Sequence, residues 1–269
     1  MDEKYIHGYS QIEQERLVSQ GQVLSPFIFD KVDLNPITSL LEVGSGVGAM
    51  TLEIVKRYPD LPITCLEISE MQIVKAAKNL QKAGLDSKIN LVQTDARNTG
   101  FESNSTFDGA FLCWILEHVP SPEKVLVELH RILKDDSKVF LTEVFHSSLH
   151  FFPHCPNAGL YWQKCIDFQT TINGDANMGH RLGNMLHDAG FRNIEVKPYP
   201  MLFDKRSPKN RKNLLNYWHD LMFSALENMV TANYCERSLW EAAEQEIFAL
   251  MKDENTVFYY SFIQATAVK

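Results

Sequence analysis

Nothing in this 269-residue chain supplies a long apolar run, an excess of basic charge, a paired-cysteine motif or an internal repeat. No stretch approaches the about 20 apolar residues that a membrane helix needs, so no membrane partner is expected. Lys and Arg number 26 against 34 Asp and Glu, a formal net charge of −8. A nucleic-acid partner asks for a basic surface, so none is expected either. The one dense basic stretch, "DKRSPKNRK" from Asp204 to Lys212, reads as a solvated loop. The five cysteines (Cys65, Cys113, Cys155, Cys165 and Cys235) are odd in number and scattered, with no CxxC pair. That excludes a disulfide framework as the organising device and suits a reduced, cytoplasmic protein. The charged opening "MDEKYIHGYSQIEQERL" lacks the apolar segment of a signal peptide.

What is present is enough apolar residue for a real core, 45% hydrophobic against 22% charged. From Ile37 onward, apolar strands alternate with helical segments. "ITSLLEV", "ITCLEI", "INLVQTD", "FDGAFLCWI" and "KVFLTEV" read as five strands, "NIEVKPY" as a sixth and "TVFYYSFIQATAVK" as the last. Between them, "SEMQIVKAAKNLQKAG" carries a capping box in Ser69 and Gln72 and a C-terminal glycine in Gly84. "SPEKVLVELHRILK" offers Ser121 as an N-cap and Pro122 in the first helical position. Near-continuous apolar strands joined by helices predict a doubly wound α/β fold with a mostly parallel, seven-stranded sheet.

The expected division is a helical cap over 1–36 and a core over 37–200 with an acceptor-site loop at 145–177. A helical insert over 201–256 and a terminal strand over 257–269 complete it. The cap shows helical spacing at Ile12, Leu17 and Val18, and the insert at Leu214, Leu215, Trp218, Leu221 and Met222.

The chemistry is concentrated where strands end. "LLEVGSGVGAM" follows the first strand, with Glu42 before glycines at 44, 46 and 48. Such a turn lets the backbone reverse tightly and lets a ligand come close. Taken alone it fits a dinucleotide pyrophosphate, a nucleoside or no ligand at all. Glu67 ends the second strand, where nucleotide-binding folds place the acid that grips ribose hydroxyls. Asp95 ends the third in "TDA", a position without a standard part in dinucleotide binding but suited to an adenine amino group.

E-x-G-x-G-x-G, the acid after the second strand, "TDA", and "FDGAFLCWILEHV" at the fourth together resemble the class I S-adenosylmethionine-dependent methyltransferases. The resemblance runs from about Leu40 to Val144. Three flanking motifs extend it: the opening "GYS…E…RL…Q", "GHRLGNMLHDAGF" after the fifth strand, and the "FYYSFIQATAVK" ending. These are similar to the indolactam-type C-methyltransferases of natural-product pathways.

The resemblance implies S-adenosylmethionine as cofactor and a Rossmann-like methyltransferase fold. Gly44, Ser45, Gly46 and Gly48 would wrap the methionine part, with Glu42 at the base of the loop. Glu67 would hold both ribose hydroxyls with Ile68 against the adenine, and Asp95 the adenine amino group with Ala96 beside it. Cys113 and Trp114 would line the cofactor near the methyl group. Tyr9, with Tyr5 as its competitor, and Gln20 would close over it.

In-line transfer of a methyl to a small-molecule acceptor, apolar or aromatic, needs mainly positioning and exclusion of water. Where the acceptor must lose a proton, His118 in "LEHV" is the candidate base, with ordinary packing as the competing reading. His146, His150, His154 and Cys155 invite a metal, but Pro153 interrupts the helix that their spacing requires, and no metal is expected. A substrate-facing loop, with Trp162, Phe168 and Trp218 lining a pocket, competes with core packing. The insert reads as a lid over the acceptor or as a subunit interface making a homodimer. Two other functions stay open: a nicotinamide-dependent oxidoreductase, and a non-catalytic protein that binds S-adenosylmethionine.

Overall fold

The computed structural model describes residues 6–85, 88–104 and 106–269. Tyr5 lies outside them. Five parallel strands form one half of the sheet: β1 (Leu40–Val43), β2 (Ile63–Glu67), β3 (Ile89–Gln93), β4 (Gly109–Cys113) and β5 (Lys138–Glu143). The other half holds β6 (His150–Phe152), β7 (Arg192–Phe203) and β8 (Val257–Val268). The spatial order is β3-β2-β1-β4-β5-β8-β6, with β7 on the free side of β8. β8 runs antiparallel to β5, β6 and β7. The sheet therefore has eight strands among the described residues, one more than the sequence suggests. The extra one, β6, is a three-residue strand inside the segment expected to be a loop, and three residues carry no readable alternation.

Helices cover both faces. Residues alternate between two cores because successive side chains on a strand point to opposite faces. Leu40, Phe111 and Phe140 enter one core, and Leu41, Val43, Ala110, Leu112, Val139 and Leu141 the other. The second core is closed by α4 (Pro122–Ile132) and α6 (Leu182–Asp188). Against the first lie α1 (Gln11–Ile28), α2 (Ala49–Arg57), α5 (Pro156–Thr171), α7 (Pro208–Ser224), α8 (Leu226–Thr231) and α9 (Arg237–Lys252). α3 (Glu70–Lys82) connects β2 to β3. With both faces buried, the strands need no polar side, which is why they read as apolar runs.

Three local expectations are corrected. Ser121 precedes α4 in a left-handed conformation (φ 58°) and makes no side-chain cap; Pro122 in the first turn sets the start instead. Ser69 does accept from the Gln72 amide at 3.4 Å, but the Gln72 side chain turns to Gln14 on α1. The buried face of α1 is not the apolar stripe of Ile12, which is 74% exposed, but Glu13, Arg16, Gly21, Leu24, Ser25 and Ile28. Gly21 sits so close to α2 that an added Cβ would lie 3.1 Å from the Ala49 Cβ.

β1 lies between β2 and β4, so the chain crosses the sheet in opposite directions on either side of it. That reversal leaves a crevice outside the carboxyl ends of β1 and β4. Phe111, fully buried in the middle of β4 and stacked on Phe29 at 5.6 Å, braces the floor beneath it. We expect Phe111→Ala to lower the unfolding free energy by about 3–5 kcal/mol in urea titrations. A loss below about 1 kcal/mol would mean that this core collapses into the gap or is not packed as described.

Candidate active site

The crevice opens into a cavity of about 230 Å³, walled by the strand ends below and by α1 and α7 above. The turn after β1 forms one end. Gly44 and Gly46 have φ of 72° and 54°, a region that costs other residues strain. A Cβ on Gly44 would also meet Ile115 Cδ1 at 2.4 Å. Ser45 and Val47 line the cavity with these glycines. Gly48 does not; its left-handed backbone caps the start of α2 and its α-carbon faces Ala76.

Glu67 binds this turn to the next strand. One carboxylate oxygen accepts the Gly46 amide at 2.9 Å and the other the Ser69 amide at 2.9 Å. Each oxygen keeps a second lone pair for a ligand hydroxyl. Burial raises the Glu67 carboxyl above its ordinary value, and the amides of Ser69 and Gly46 pull it back. Ile68, 46% exposed, presents an apolar side chain on the cavity wall. Asp95 and Ala96 follow on the same wall. Asp95 is held below its ordinary value by hydrogen bonds from Arg97, whose guanidinium lies 2.8 Å from Oδ2.

Glu42 is the buried end of this half. Its carboxylate accepts from Thr51 Oγ1 at 2.6 Å and from the Cys65 thiol at 3.4 Å. Two weak partners do not replace water, and burial pushes the carboxyl up to about 7. Cys113 and Trp114 line the cavity at the end of β4. Burial pushes the Cys113 thiol well up, with the carboxylates of Glu143, Glu42 and Glu117 adding to it, which disfavours its thiolate. Tyr9 and Gln20 reach the cavity from the N-terminal segment and α1.

The other half was largely invisible in sequence. A tight turn over Leu116–His118 follows β4, and its backbone is held from below by Glu143. Glu143 Oε1 accepts the amides of Ile115 and Leu116 at 3.1 and 2.8 Å. The turn presents Glu117 and His118 to the cavity. Glu117 Oε1 lies 3.4 Å from His118 Nε2, and its Oε2 lies 3.9 Å from His146 Nε2. Gln169 of α5 donates to Oε2 at 2.8 Å. Burial drives the His118 and His146 imidazoles down to about 3 and Glu143 up to about 8. Burial and the Glu143 charge raise Glu117 well above its ordinary value. Tyr217, Trp218, Tyr260 and Phe262 supply aromatic walls, and Arg16 and His7 come from above.

Of the residues singled out as metal ligands, only His146 reaches this cavity; among the described residues no group of His, Cys, Asp or Glu is arranged to hold a metal. The segment 145–177 is not an open loop, since Pro156–Thr171 is helix α5. Trp162 backs His146, donating to its carbonyl at 2.9 Å, and Phe168 packs against Tyr234 at 5.3 Å. Neither lines the cavity; Trp218 does. The hint to Tyr260 and Phe262 was the alternation of "FYYSF", in which residues 258, 260 and 262 share the inner face.

Three buried atoms bear on ligand fit. Ser45 Oγ, Glu143 Oε2 and Trp218 Nε1 have no hydrogen-bond partner. Buried polar atoms are nearly always paired, so Ser45 Oγ in the glycine turn and Trp218 Nε1 in the cavity wall mark where a polar ligand would be received.

Comparison with known proteins agrees with this geometry. Residues 41–141 match the family model described as a methyltransferase domain. A sterol 24-C-methyltransferase of Gibberella zeae is 35% identical over 108 residues, 40% of this chain and 28% of that protein. A demethylmenaquinone methyltransferase of Desulfitobacterium hafniense is 34% identical, covering 52% of this chain and 55% of that protein. The sterol methyltransferase-like 3 protein of Botryococcus braunii is 33% identical over 191 residues, covering 67% of this chain and 48% of that one. The chain thus spans roughly a quarter to a half of these relatives' lengths.

Among solved structures, phosphoethanolamine N-methyltransferase 2 of Haemonchus contortus superposes with a TM-score of 0.61 at 15% identity, covering 99% of this chain and 60% of that one. The [4+2]-cyclase SpnF superposes at 0.58 and 19% identity, covering 91% and 80%. These show a Rossmann-like methyltransferase fold.

The buried acids and imidazoles predict how stability depends on pH. A carboxyl raised on folding favours the folded state while protonated and loses that advantage as pH climbs through its folded value. Glu42 and Glu143, at about 7 and about 8, therefore cost stability as pH rises from 4.5 to 8. Imidazoles lowered on folding act in the other direction, costing stability as pH falls below 6.5. Above 6.5 only the carboxyls act. We expect the unfolding free energy in urea to fall by about 1–3 kcal/mol from pH 6.5 to 8, and Glu42→Gln to flatten part of that slope. A flat or rising profile over that range would show that these carboxyls are solvated.

Proposed function

We propose that this chain is an S-adenosylmethionine-dependent methyltransferase acting on a small-molecule acceptor by in-line displacement. The observation that carries the proposal is Glu67. Its two oxygens accept the Gly46 and Ser69 amides, holding the glycine turn and the start of α3, and its side chain lines the cavity. That suits a ribose diol, which S-adenosylmethionine and a nicotinamide dinucleotide both carry, and Asp95, without a standard part in dinucleotide binding, favours the methyl donor. The match of residues 41–141 to the methyltransferase domain supports the same reading.

The bound cofactor supplies a methyl group already activated on a sulfonium. The chain's residues bind, orient and exclude water. Gly44, Ser45 and Gly46 receive the methionine portion, with Ser45 Oγ as an uncommitted donor and acceptor. Glu67 holds the ribose, Ile68 covers one face of the adenine, and Asp95 with Ala96 borders its edge. Asp95 also answers to Arg97, so an adenine amino group would share its carboxylate. Tyr9 and Gln20 close the site from above, and Cys113 and Trp114 border the transferred methyl. Removal of water by α1 and α7 strengthens each of these polar contacts.

The related sterol and menaquinone enzymes make an apolar or aromatic acceptor the natural expectation, and Tyr217, Trp218, Tyr260 and Phe262 offer it a stacking surface. A second reading has one observation in its favour. SpnF, named as a [4+2]-cyclase, has this fold at a TM-score of 0.58, so the fold need not entail methyl transfer.

Calorimetry should show S-adenosylhomocysteine binding and no NAD or NADP binding; the opposite result ends the proposal. Glu67→Ala and Asp95→Ala should each weaken S-adenosylhomocysteine by about 1–3 kcal/mol, the cost of stranding buried polar partners. Unchanged affinity in both variants would mean that the cofactor sits elsewhere. Protein incubated with labelled S-adenosylmethionine and a cell metabolite extract, read by mass spectrometry, should yield a methylated small molecule. Binding without any such product favours the second reading.

A further inference from the structure

We propose that Glu117 is the general base of this site and that its acceptor is an uncharged molecule whose ionisable O–H or N–H enters the chamber formed with His118 and His146. The inference rests on the methyltransferase reading and deepens it.

The chamber is assembled from five separate parts of the chain. Glu117 and His118 come from the turn after β4, His146 from beyond β5, Tyr260 from β8, Tyr217 from α7, and Arg16 and His7 from above. Glu117 is 4% exposed and sits between the two imidazoles. Its backbone carbonyl accepts the Asp175 amide at 2.8 Å, and its side chain is fixed by Gln169, so its direction does not depend on a ligand.

The imidazoles are arranged as donors. The Phe145 amide donates to Tyr260 Oη at 3.2 Å; in the tautomer required here, that hydroxyl donates in turn to His146 Nδ1, also 3.2 Å away. His146 then carries its own proton on Nε2, directed toward Glu117. The gap of 3.9 Å is too long for a hydrogen bond and leaves the donor available to an entering group.

A neutral imidazole held far below its ordinary value is a poor proton acceptor. A carboxyl raised by burial and by the neighbouring Glu143 is a good one. In the transfer, the acceptor's O–H or N–H bond breaks and its proton passes to Glu117. The pair left on the heteroatom forms the bond to the methyl carbon, and the carbon–sulfur pair stays on sulfur. The charged and titratable groups facing Glu117 are His118 on its own turn, Glu143 on β5, His146, Arg16 on α1, Asp175 before α6, and the Tyr217 and Tyr260 hydroxyls.

The neutrality of the acceptor follows from the cations. Among the described residues, those lining the cavity are Arg16 and Arg97. Arg16 is engaged by both oxygens of Glu13 at 2.7 Å, and Arg97 by Asp95. A phosphate would enter a chamber containing Glu117 with each guanidinium already committed to a carboxylate. Uncompensated burial of such a charge is prohibitive.

Two measurements test this. Infrared difference titration of the ligand-free protein should show a protonated-carboxyl band that weakens in Glu117→Gln; a band unchanged by that substitution overturns the proposal. This readout needs neither cofactor nor acceptor, so it stands apart from failure of the methyltransferase reading, which would show as absent S-adenosylhomocysteine binding. With the acceptor recovered from the extract, wild-type kcat/KM should rise with pH along a limb that Glu117→Gln abolishes. That variant should lose about 100-fold or more in kcat and keep its S-adenosylhomocysteine affinity. Glu117→Asp should restore part of the rate and the limb, while His118→Ala should retain the limb. Persistence of the limb in Glu117→Gln, or methylation of phosphoethanolamine or geranyl diphosphate by the wild type, overturns it.

Discussion

Glu143 is the residue on which the rest of the site depends. Trp114 has a left-handed backbone (φ 55°), so the chain leaving β4 turns at once and exposes the amides of Ile115 and Leu116. No strand or helix is available to satisfy them. Glu143, 0% exposed at the end of β5, accepts both with one oxygen. A carboxyl in that position bears a heavy desolvation cost, visible in its rise to about 8, and two buried amides in return only partly offset it. The gain is positional: the next two residues, Glu117 and His118, are delivered to the cavity on a rigid turn. Glu143 also raises Glu117 by like-charge proximity. One structural carboxyl therefore sets the place of the neighbouring one and adds to the rise in proton affinity that burial causes.

The parts of the roof above that floor are tied to one another by specific contacts. Asn228 of α8 donates to the Ile6 carbonyl at 2.7 Å, and His7 pairs with Ser224 at the end of α7 at 2.7 Å. The N-terminal segment and the helical insert thus close the cavity as one unit, although about 200 residues separate them in sequence. α1 carries a buried Glu13–Arg16 pair on the same inner face. Such a face gains little from hydrophobic burial, so the cap is held chiefly by Leu24, Ile28 and Gly21 at its far end.

These features explain what could be read in the sequence. The five parallel strands, the glycine turn, Glu67 and Asp95 were legible because parallel strands buried on both faces are apolar runs and the turn needs glycine at fixed places. Ten residues expected from four strand ends (Glu42, Gly44, Ser45, Gly46, Glu67, Ile68, Asp95, Ala96, Cys113 and Trp114) line one crevice. Gly48, grouped with the cradle on glycine spacing, caps α2 and does not line the cavity, since that spacing does not distinguish a helix cap from a cradle. The half of the cavity around Glu117 was not legible for a different reason. Burial of Glu117, and its approach to His146 from across β5, are properties of the sheet order, and "LEHV" offers two polar residues with no mark of which is deeper. His118 drew attention because an unperturbed imidazole titrates near neutrality, and the burial that removes that property is invisible in sequence. The polar stripe of α1 was hidden because periodicity arguments look for apolar faces.

The fold alone does not decide the chemistry, since a cyclase and several methyltransferases share it. What distinguishes one from another must lie in the half of the cavity beyond the cofactor. Here that half contains two neutral imidazoles, one high-affinity carboxyl and four aromatic rings, with its cations already paired. An environment of that kind is balanced for a neutral guest. A cationic guest would find the aromatic faces and an ionised Glu117 attractive, but would face His146 Nε2–H and Arg16. An anionic one would face Glu117 and Glu143 at once. The selectivity proposed for this chamber is electrostatic: an ionised Glu117 accepts the proton that a neutral guest gives up, and the already paired cations leave little to compensate a guest that arrives anionic.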